Sequence, residues 1–319
     1  MGIFQWSARP ADAALLFSPG RVSIRRPIPI GADWALVRLS SGEFLCVDTS
    51  TFEALAYILG GEHEADVIRV LRTFLTPRSV VLDIGANFGL YTALVGSIVK
   101  RHGRLYAFEG NPRVFASLQR TLVANDLYHY PNIIAANVLV SDQSGHGILH
   151  YSANLPSGGT MSEVELVGGI QRSVEVEMTT IDDFLSDDLP ADLVKIDVEG
   201  HEPRVLHGMQ QTIARSPNIR IIIEFADTLL AQTVNPPDFV DYIRGLGFAI
   251  CRILPEFRIG LVHPGDALSG FNYCLLTRTP EADIRAVEAR RNFLPIRFKR
   301  WLHRRPVRWG RYRRIWGRW

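Results

Sequence analysis

Val80-Val81-Leu82-Asp83-Ile84-Gly85-Ala86-Asn87-Phe88-Gly89-Leu90-Tyr91-Thr92 decides the fold of this chain. An apolar run with the character of a buried strand ends in an acid. It turns through Gly-Ala-Asn-Phe-Gly and enters a helical pattern at once. Glycines at a strand-to-helix turn let a ligand approach the backbone, and the following helix N-terminus offers free amide donors.

Working outward, the pattern from residue 79 onward alternates strand and helix, which predicts a mostly parallel sheet. Strands are expected at 80–84, 104–109, 132–140, 192–198 and 219–225. Helices are expected at 88–100, from Asn111-Pro112 to about 125, from about 202 to 214, and at 237–245. Asn111 followed by Pro112 is an N-cap with proline at the first helical position. The fifth strand is almost purely β-branched and therefore central. Strands at 248–254 and 272–277 have no helix between them and are expected to be antiparallel. Residues 141–180 interrupt the alternation, with turns at Ser144-Gly145 and Ser157-Gly158-Gly159 and strand-like pieces at 147–152 and 173–178. This insertion is expected to lie over the active face.

The first 75 residues read differently. Segments 34–39 and 43–48, joined at Ser40-Ser41-Gly42, give a hairpin signal. A short helix at 51–59 and an amphipathic one at 64–74, with Val67, Val70, Leu71 and Phe74 on one face, complete a small cap. The division expected is a cap at 1–75, a main domain at 76–280 and a tail at 281–319.

Charge separates these parts. The 319 residues carry a formal net charge of +2, yet residues 281–319 hold 13 Lys/Arg against Glu281, Asp283 and Glu288. The first 280 residues hold the remaining 22 Lys/Arg and 30 acids. An acidic body thus carries a strongly basic tail with its own partner. That tail interleaves arginines with Trp301, Trp309, Trp316 and Trp319, four of the six tryptophans in the chain. Indoles and arginines together suit an anionic membrane surface, met through residues 285–319. A solvated or partner-binding tail is the next reading, and nucleic acid is the least favoured. Cys46, Cys251 and Cys274 show no metal-type spacing, which fits a reducing cytoplasm. The N-terminal residues contain no charged leader before an apolar core, and no window approaches a transmembrane span. A cytoplasmic protein, peripheral at the inner membrane, is expected.

Two more acidic motifs give the Gly-rich turn its meaning. Glu109 ends the second strand, twenty residues past Gly89, where a carboxylate accepts two hydrogen bonds from a ribose diol. Nicotinamide cofactors and S-adenosylmethionine are both read this way. The third motif is Lys195-Ile196-Asp197-Val198-Glu199-Gly200-His201-Glu202, at the carboxyl end of the fourth strand. Asp197, Glu199 and His201 alternate, so an extended continuation aims them to one side. His201 titrates near neutrality and suits a general base. Asp197 or Glu199 orients it, binds the acceptor or holds a divalent cation. Glu202 reads as the acidic first turn of the next helix, and Lys195 as the partner of a neighbouring acid. Taken together, the motifs predict that Gly85 and Gly89 close around the methionine end of S-adenosylmethionine, with Asp83 facing its ammonium.

Asp83-Ile-Gly-Ala-Asn-Phe-Gly, Phe108-Glu-Gly-Asn-Pro, Thr180-Ile-Asp-Asp-Phe-Leu, Lys195-Ile-Asp-Val-Glu-Gly-His-Glu and Ile222-Ile-Glu224 occur in the order found in the FkbM methyltransferase family, which residues 60–255 resemble. The resemblance implies a Rossmann-like class I methyltransferase sheet, mostly parallel with an antiparallel last strand. It also implies S-adenosylmethionine as donor and a hydroxyl acceptor on a sugar, glycolipid or secondary metabolite. By that likeness Asp83, Gly85, Asn87, Gly89 and Glu109 are cofactor residues, and Asp142 is a further candidate for the adenine. Gly110 departs from the family's usual acid-asparagine-proline run and leaves Glu109 intact. Two alternatives stand beside this reading. A nicotinamide-dependent oxidoreductase is disfavoured by the missing third glycine spacing and the closing antiparallel pair. A non-catalytic module on the same fold is disfavoured by the intact acids.

Overall fold

The computed structural model describes residues 26–59, 64–161, 170–185, 189–266 and 268–292. In chain order these form β1 (Ile28–Pro29), β2 (Trp34–Arg38), β3 (Phe44–Asp48), α1 (Phe52–Leu59), α2 (Ala65–Phe74), β4 (Val80–Ile84), α3 (Leu90–Val99), β5 (Arg104–Phe108) and α4 (Pro112–Ala124). Next come β6 (Ile133–Ala136), β7 (Leu139–Val140), β8 (Gly145–Ser152), β9 (Leu155–Thr160), β10 (Gln171–Thr179), α5 (Ile181–Phe184), β11 (Leu193–Ile196), α6 (Glu202–His207) and α7 (Gln210–Arg215). The chain continues through β12 (Arg220–Ala226), α8 (Asp227–Leu230), α9 (Pro236–Gly245), β13 (Ala249–Leu254), β14 (Arg258–Leu261), β15 (Phe271–Thr277) and α10 (Pro280–Asn292).

The main sheet has the order β14-β13-β15-β12-β11-β4-β5-β6. Strands β6, β5, β4, β11 and β12 run parallel, and β15 inserts antiparallel between β12 and β13. This is the class I methyltransferase arrangement that the strand pattern predicts. The reversal of order beside β4 puts the binding crevice at the carboxyl ends of β4, β5 and β11. Helices cover both faces. Val67, Leu71, Tyr91 and Leu94 pack with Ile222 and Leu275 on one side; Val205, Ile213 and Phe239 pack with Ile223 and Cys274 on the other.

Several expectations are corrected. The third strand splits: β6 belongs to the main sheet, whereas β7 pairs with β10. Asn137 lies at the break, its amide donating to the carbonyls of Glu109 and Gly110 at 2.7 and 3.1 Å. The predicted turn at Ser157-Gly158-Gly159 lies inside β9. A Cβ on Gly159 would come 3.2 Å from Leu149, so that glycine serves strand packing, not chain reversal. The helix expected at 202–214 is two helices, divided where a Cβ on Gly208 would lie 1.9 Å from the Ser141 carbonyl. The loop after β13 holds an unpredicted eighth strand, β14. It is reached through Glu256 and Phe257 at φ 64° and 57°, residue types that give no turn signal.

The domain boundaries also shift. Helix α2 shares its apolar core with the main sheet, so the cap does not stand apart from it at residue 75. Cap strand β3 is tied to α4 by Cys46 N–H donating to Thr121 Oγ1 at 2.9 Å and Phe44 N–H donating to Asn125 Oδ1 at 2.8 Å. Helix α10 belongs to the body as well: Val287 is fully buried and Asp283 pairs with Arg220 at 2.7 Å. The basic tail therefore begins after Asn292, and residues 293–319 lie outside the described residues, as do residues 1–25 of the cap.

Candidate active site

Asp83 is the fourth residue of β4 and is 1% exposed. Its Oδ2 accepts the Thr92 hydroxyl at 2.6 Å, while Oδ1 is buried with no hydrogen-bond partner among the described residues. Burial raises its pKa against the pull of Lys195 and Thr92. A buried carboxylate oxygen left open is costly unless a ligand or water completes it. An ammonium group is such a ligand.

The turn that follows is held from inside. Gly85 and Ala86 N–H both donate to the Phe108 carbonyl, at 3.0 and 2.9 Å. Gly85 adopts φ 77°, and a Cβ there would lie 1.8 Å from the Asp197 carbonyl. Gly89 adopts φ 91°, and its Cβ would meet Leu118 at 2.7 Å. Both glycines are therefore demanded by packing within the chain, before any ligand enters. Asn87, at φ 52°, is a residue type that tolerates the left-handed region. Its N–H donates to Glu109 Oε2 at 2.9 Å, and Asn111 N–H donates to Oε1 at 2.8 Å. Glu109 thus clamps the turn to the start of α4, and each of its oxygens retains a lone pair for a donor such as a ribose hydroxyl. Burial lifts its pKa to about 7, against the two backbone donors.

The turn after β11 departs from the expected alternation. The strand ends at Ile196, and Glu199 and Gly200 take φ 54° and 94°, so Asp197, Glu199 and His201 do not project from one extended segment. Asp197 Oδ2 accepts Lys195 Nζ at 2.7 Å and lies 2.9 Å from the Tyr273 hydroxyl. Lys195 is accordingly paired as expected, and its ammonium sits 4.6 Å from the Tyr91 ring centroid. Against burial, Asp197, Glu64 and Asp83 hold Lys195 charged. His201 instead bonds Ser141 Oγ through Nε2 at 3.0 Å. Burial and the Arg204 charge push its pKa down to about 4. It is neutral at pH 7 and a weak base. Glu202 occupies the first turn of α6 and accepts the N–H groups of Val198 and Gly200 at 3.1 and 3.3 Å.

Glu199 is the carboxylate of this turn that faces open space. Burial and the Asp197 charge lift its pKa to about 8. With Gly200, His201 and Arg204 it lines a cleft of about 210 Å³. Ser141, Gln143, Met161, Met178, Leu229 and Gln232 also line it. The insertion therefore does cover this face. Asp142, the candidate for the adenine, lies between two lining residues of the cleft, Ser141 and Gln143, and its exposed carboxylate pairs with Arg204 at 3.1 Å. Against the upward pull of burial, the Ser141 hydroxyl and Arg204 hold it below its ordinary value.

Sequence reading missed Glu64 and Tyr273. Glu64, left-handed at the start of α2, accepts the Tyr91 hydroxyl with Oε2 and the Tyr273 hydroxyl with Oε1, the latter at 2.7 Å. These contacts span 27 and 209 residues, and no local pattern announces them. Glu224 did carry a signal, as an acid inside the apolar run Ile221-Ile222-Ile223-Glu224-Phe225. No group of three or more His, Cys, Asp or Glu among the described residues is arranged to hold a metal ion.

Residues 83–250 match the family described as the Methyltransferase FkbM domain. The methyltransferase sdnD of Sordaria araneosa is 28% identical over 160 residues, covering 41% of this chain and 60% of that protein. The hexuronic acid methyltransferase AglP of Haloferax volcanii is 29% identical over 161 residues, covering 50% and 61%. The chain thus spans less than two thirds of either relative. Among solved structures, an FkbM methyltransferase from Methylobacillus flagellatus is similar at 17% identity and a TM-score of 0.42, over 64% of this chain and 44% of that one.

Proposed function

The chain belongs to the FkbM methyltransferase family, and from that premise we propose that it transfers the methyl group of S-adenosylmethionine to a hydroxyl of a sugar or related polyhydroxylated acceptor. The observation that carries this reading is the internally clamped turn at 85–89, flanked by Glu109 and by a buried Asp83 oxygen without a partner. When bound, the donor supplies an electrophilic methyl on a positive sulfonium, so that a C–O bond forms as the C–S bond breaks and a neutral thioether leaves. Asp83 holds the donor's ammonium with Oδ1. Glu109 accepts from its ribose hydroxyls.

Glu199 removes the proton of the acceptor hydroxyl. A base poised near the operating pH combines availability with driving force, and Glu199 at about 8 meets that requirement where His201 at about 4 does not. Activity therefore rises with pH towards about 8 as Glu199 ionises. His201 is a positioning residue, fixing Ser141 at the cleft wall. The exposed amides of Gln143 and Gln232 and the apolar side chains of Met161, Met178 and Leu229 suit a polyol with one polar and one C–H face. The sugar-acid acceptor in the name of the Haloferax relative supports this class.

Calorimetric titration with S-adenosylmethionine tests the reading. Micromolar-range binding that Asp83→Asn weakens is the expected result. No binding by the folded chain would sink it.

We also propose that residues 293–319, with ten Lys/Arg and no acid, carry the enzyme to an anionic membrane surface. No helix among the described residues is long and apolar enough to cross a membrane.

A further inference from the structure

Glu224 is 3% exposed on the central strand β12, and its Oε2 has no partner among the described residues. Its cross-strand neighbour is Tyr273, and Ile222, one pleat back, pairs with Lys195. Glu224 therefore shares a sheet face with Lys195 and Tyr273, beside the Asp197 that both of them touch. On that face the supply of positive groups falls short. The Tyr273 hydroxyl lies 2.7 Å from Glu64 and 2.9 Å from Asp197, with one proton to give. The Lys195 ammonium is already shared between Asp197, at 2.7 Å, and the charges of Glu64 and Asp83. Burial, then the charges of Asp197 and Glu199, raise Glu224 well above the usual carboxylate range.

For folding alone, an apolar residue or a glutamine at 224 would be better, because a buried acid with an open oxygen destabilises the empty chain. Such a group, held neutral by its surroundings in the empty chain, ionises and gives its proton to solvent when a positive charge arrives. The described residues lack the convergent ligands a metal ion needs. A sulfonium carries charge with no N–H or O–H, so a field of nearby carboxylates suits it better than any single hydrogen bond.

We propose that Glu224, with Asp197 and Glu199, forms a subsite that recognises the positive charge of the methyl donor and so favours it over the uncharged product. This rests on S-adenosylmethionine being the donor. The subsite gives the empty enzyme a reason to keep a destabilising acid in its core, and it drives product release, because methyl transfer removes the charge it holds.

Calorimetric titration of the full chain with S-adenosylmethionine and S-adenosylhomocysteine separates the two claims. The native chain binds the charged donor about tenfold more tightly, a preference of about 1.4 kcal/mol. Glu224→Gln keeps the shape, binds the product as before and brings the two affinities to within about twofold. A native chain that binds both ligands equally overturns the subsite and leaves the donor assignment standing; binding of neither overturns that assignment too. Should Glu224→Gln fail to fold, the half-buried Glu199→Gln takes its place, and an unchanged affinity ratio there overturns the proposal.

Discussion

The turns that leave β4 and β11 stand side by side at one edge of the sheet, yet they hold their acids by opposite means. At the first, Glu109 is clamped by the backbone of Asn87 and Asn111, and Asp83 by Thr92 in the first turn of α3. These partners are near in sequence or across one strand pair, so the arrangement forms with the βαβ unit itself. At the second, Asp197 depends on Lys195 and on Tyr273 from an antiparallel strand, and through that hydroxyl on Glu64, which precedes α2. Glu199 has charged neighbours instead of hydrogen bonds. The first turn is scaffold held from within the βαβ unit. The second is assembled at long range and left electrostatically strained, which is the condition a reacting centre requires.

The harshest way to break this comparison is to separate the turns. Gly85→Ala puts a methyl 1.8 Å from the Asp197 carbonyl at a φ of 77°. Backbone cannot give way as a side chain does, so the loss should exceed about 3 kcal/mol by chemical denaturation and approach loss of the fold. Gly89→Ala meets side chains only, Leu118 at 2.7 Å and Thr121 at 3.1 Å, and should cost about 1–2 kcal/mol, from its own φ and from this crowding. The opposite order would mean that the two turns are not packed against each other as described.

Chemistry provides the next contrast. Glu199→Gln should lower kcat by about 100-fold or more with acceptor KM changed only a few-fold, and should abolish the rise in activity towards pH 8. His201→Gln should lower kcat less than about tenfold, because its imidazole is neutral and bonded to Ser141. If His201→Gln were the more damaging and erased the pH dependence, the base would be reassigned to the histidine.

A gentler probe uses pH on the empty chain. Burial raises Glu202 from about 4.5 to about 7, so the fold favours its protonated form. That contribution is full below pH 4.5 and is lost as pH rises through 7. His201 is depressed from 6.5 to about 4, so its contribution is full above 6.5 and is lost as pH falls through 4. Melting curves should therefore show Tm falling on both sides, with Glu202→Gln flattening the alkaline limb and His201→Gln the acid limb. Glutamine keeps the acceptor that Val198 and Gly200 use, so the first variant tests charge alone.

The same contrast explains what sequence could reveal. The Gly-rich turn, Glu109 and the strand order were legible because each rests on a period or a spacing within a few tens of residues. The alternation at 197–201 misled because a strand pattern says nothing of where the strand stops. Here it stops at Ile196, and Glu199 enters a left-handed turn with no residue-type warning. Glu64 and Tyr273 were invisible for a related reason: their meeting is a product of the finished fold. Glu224 was visible as an anomaly, an acid in an apolar strand, whose sense required its neighbours.

The smallest effect expected at the site comes from the largest charge in the chain. Residues 293–319 add ten positive charges to a body whose first 280 residues are net −8. If the site's electrostatics are set by buried groups, screening over about 8 Å at physiological ionic strength isolates them from a remote tail. Deleting 293–319 should then leave donor affinity within about twofold and Tm unchanged, since α10 with its buried Val287 and the Asp283–Arg220 pair is retained. Binding to anionic vesicles should fall by about tenfold or more and be salt-sensitive in the intact chain, because each basic residue at such a surface contributes about 1 kcal/mol. Equal vesicle binding by the shortened chain would refute the membrane role. A large loss of donor affinity would instead show that the tail reaches the crevice, and the division between scaffold turn and charged turn would have to include it.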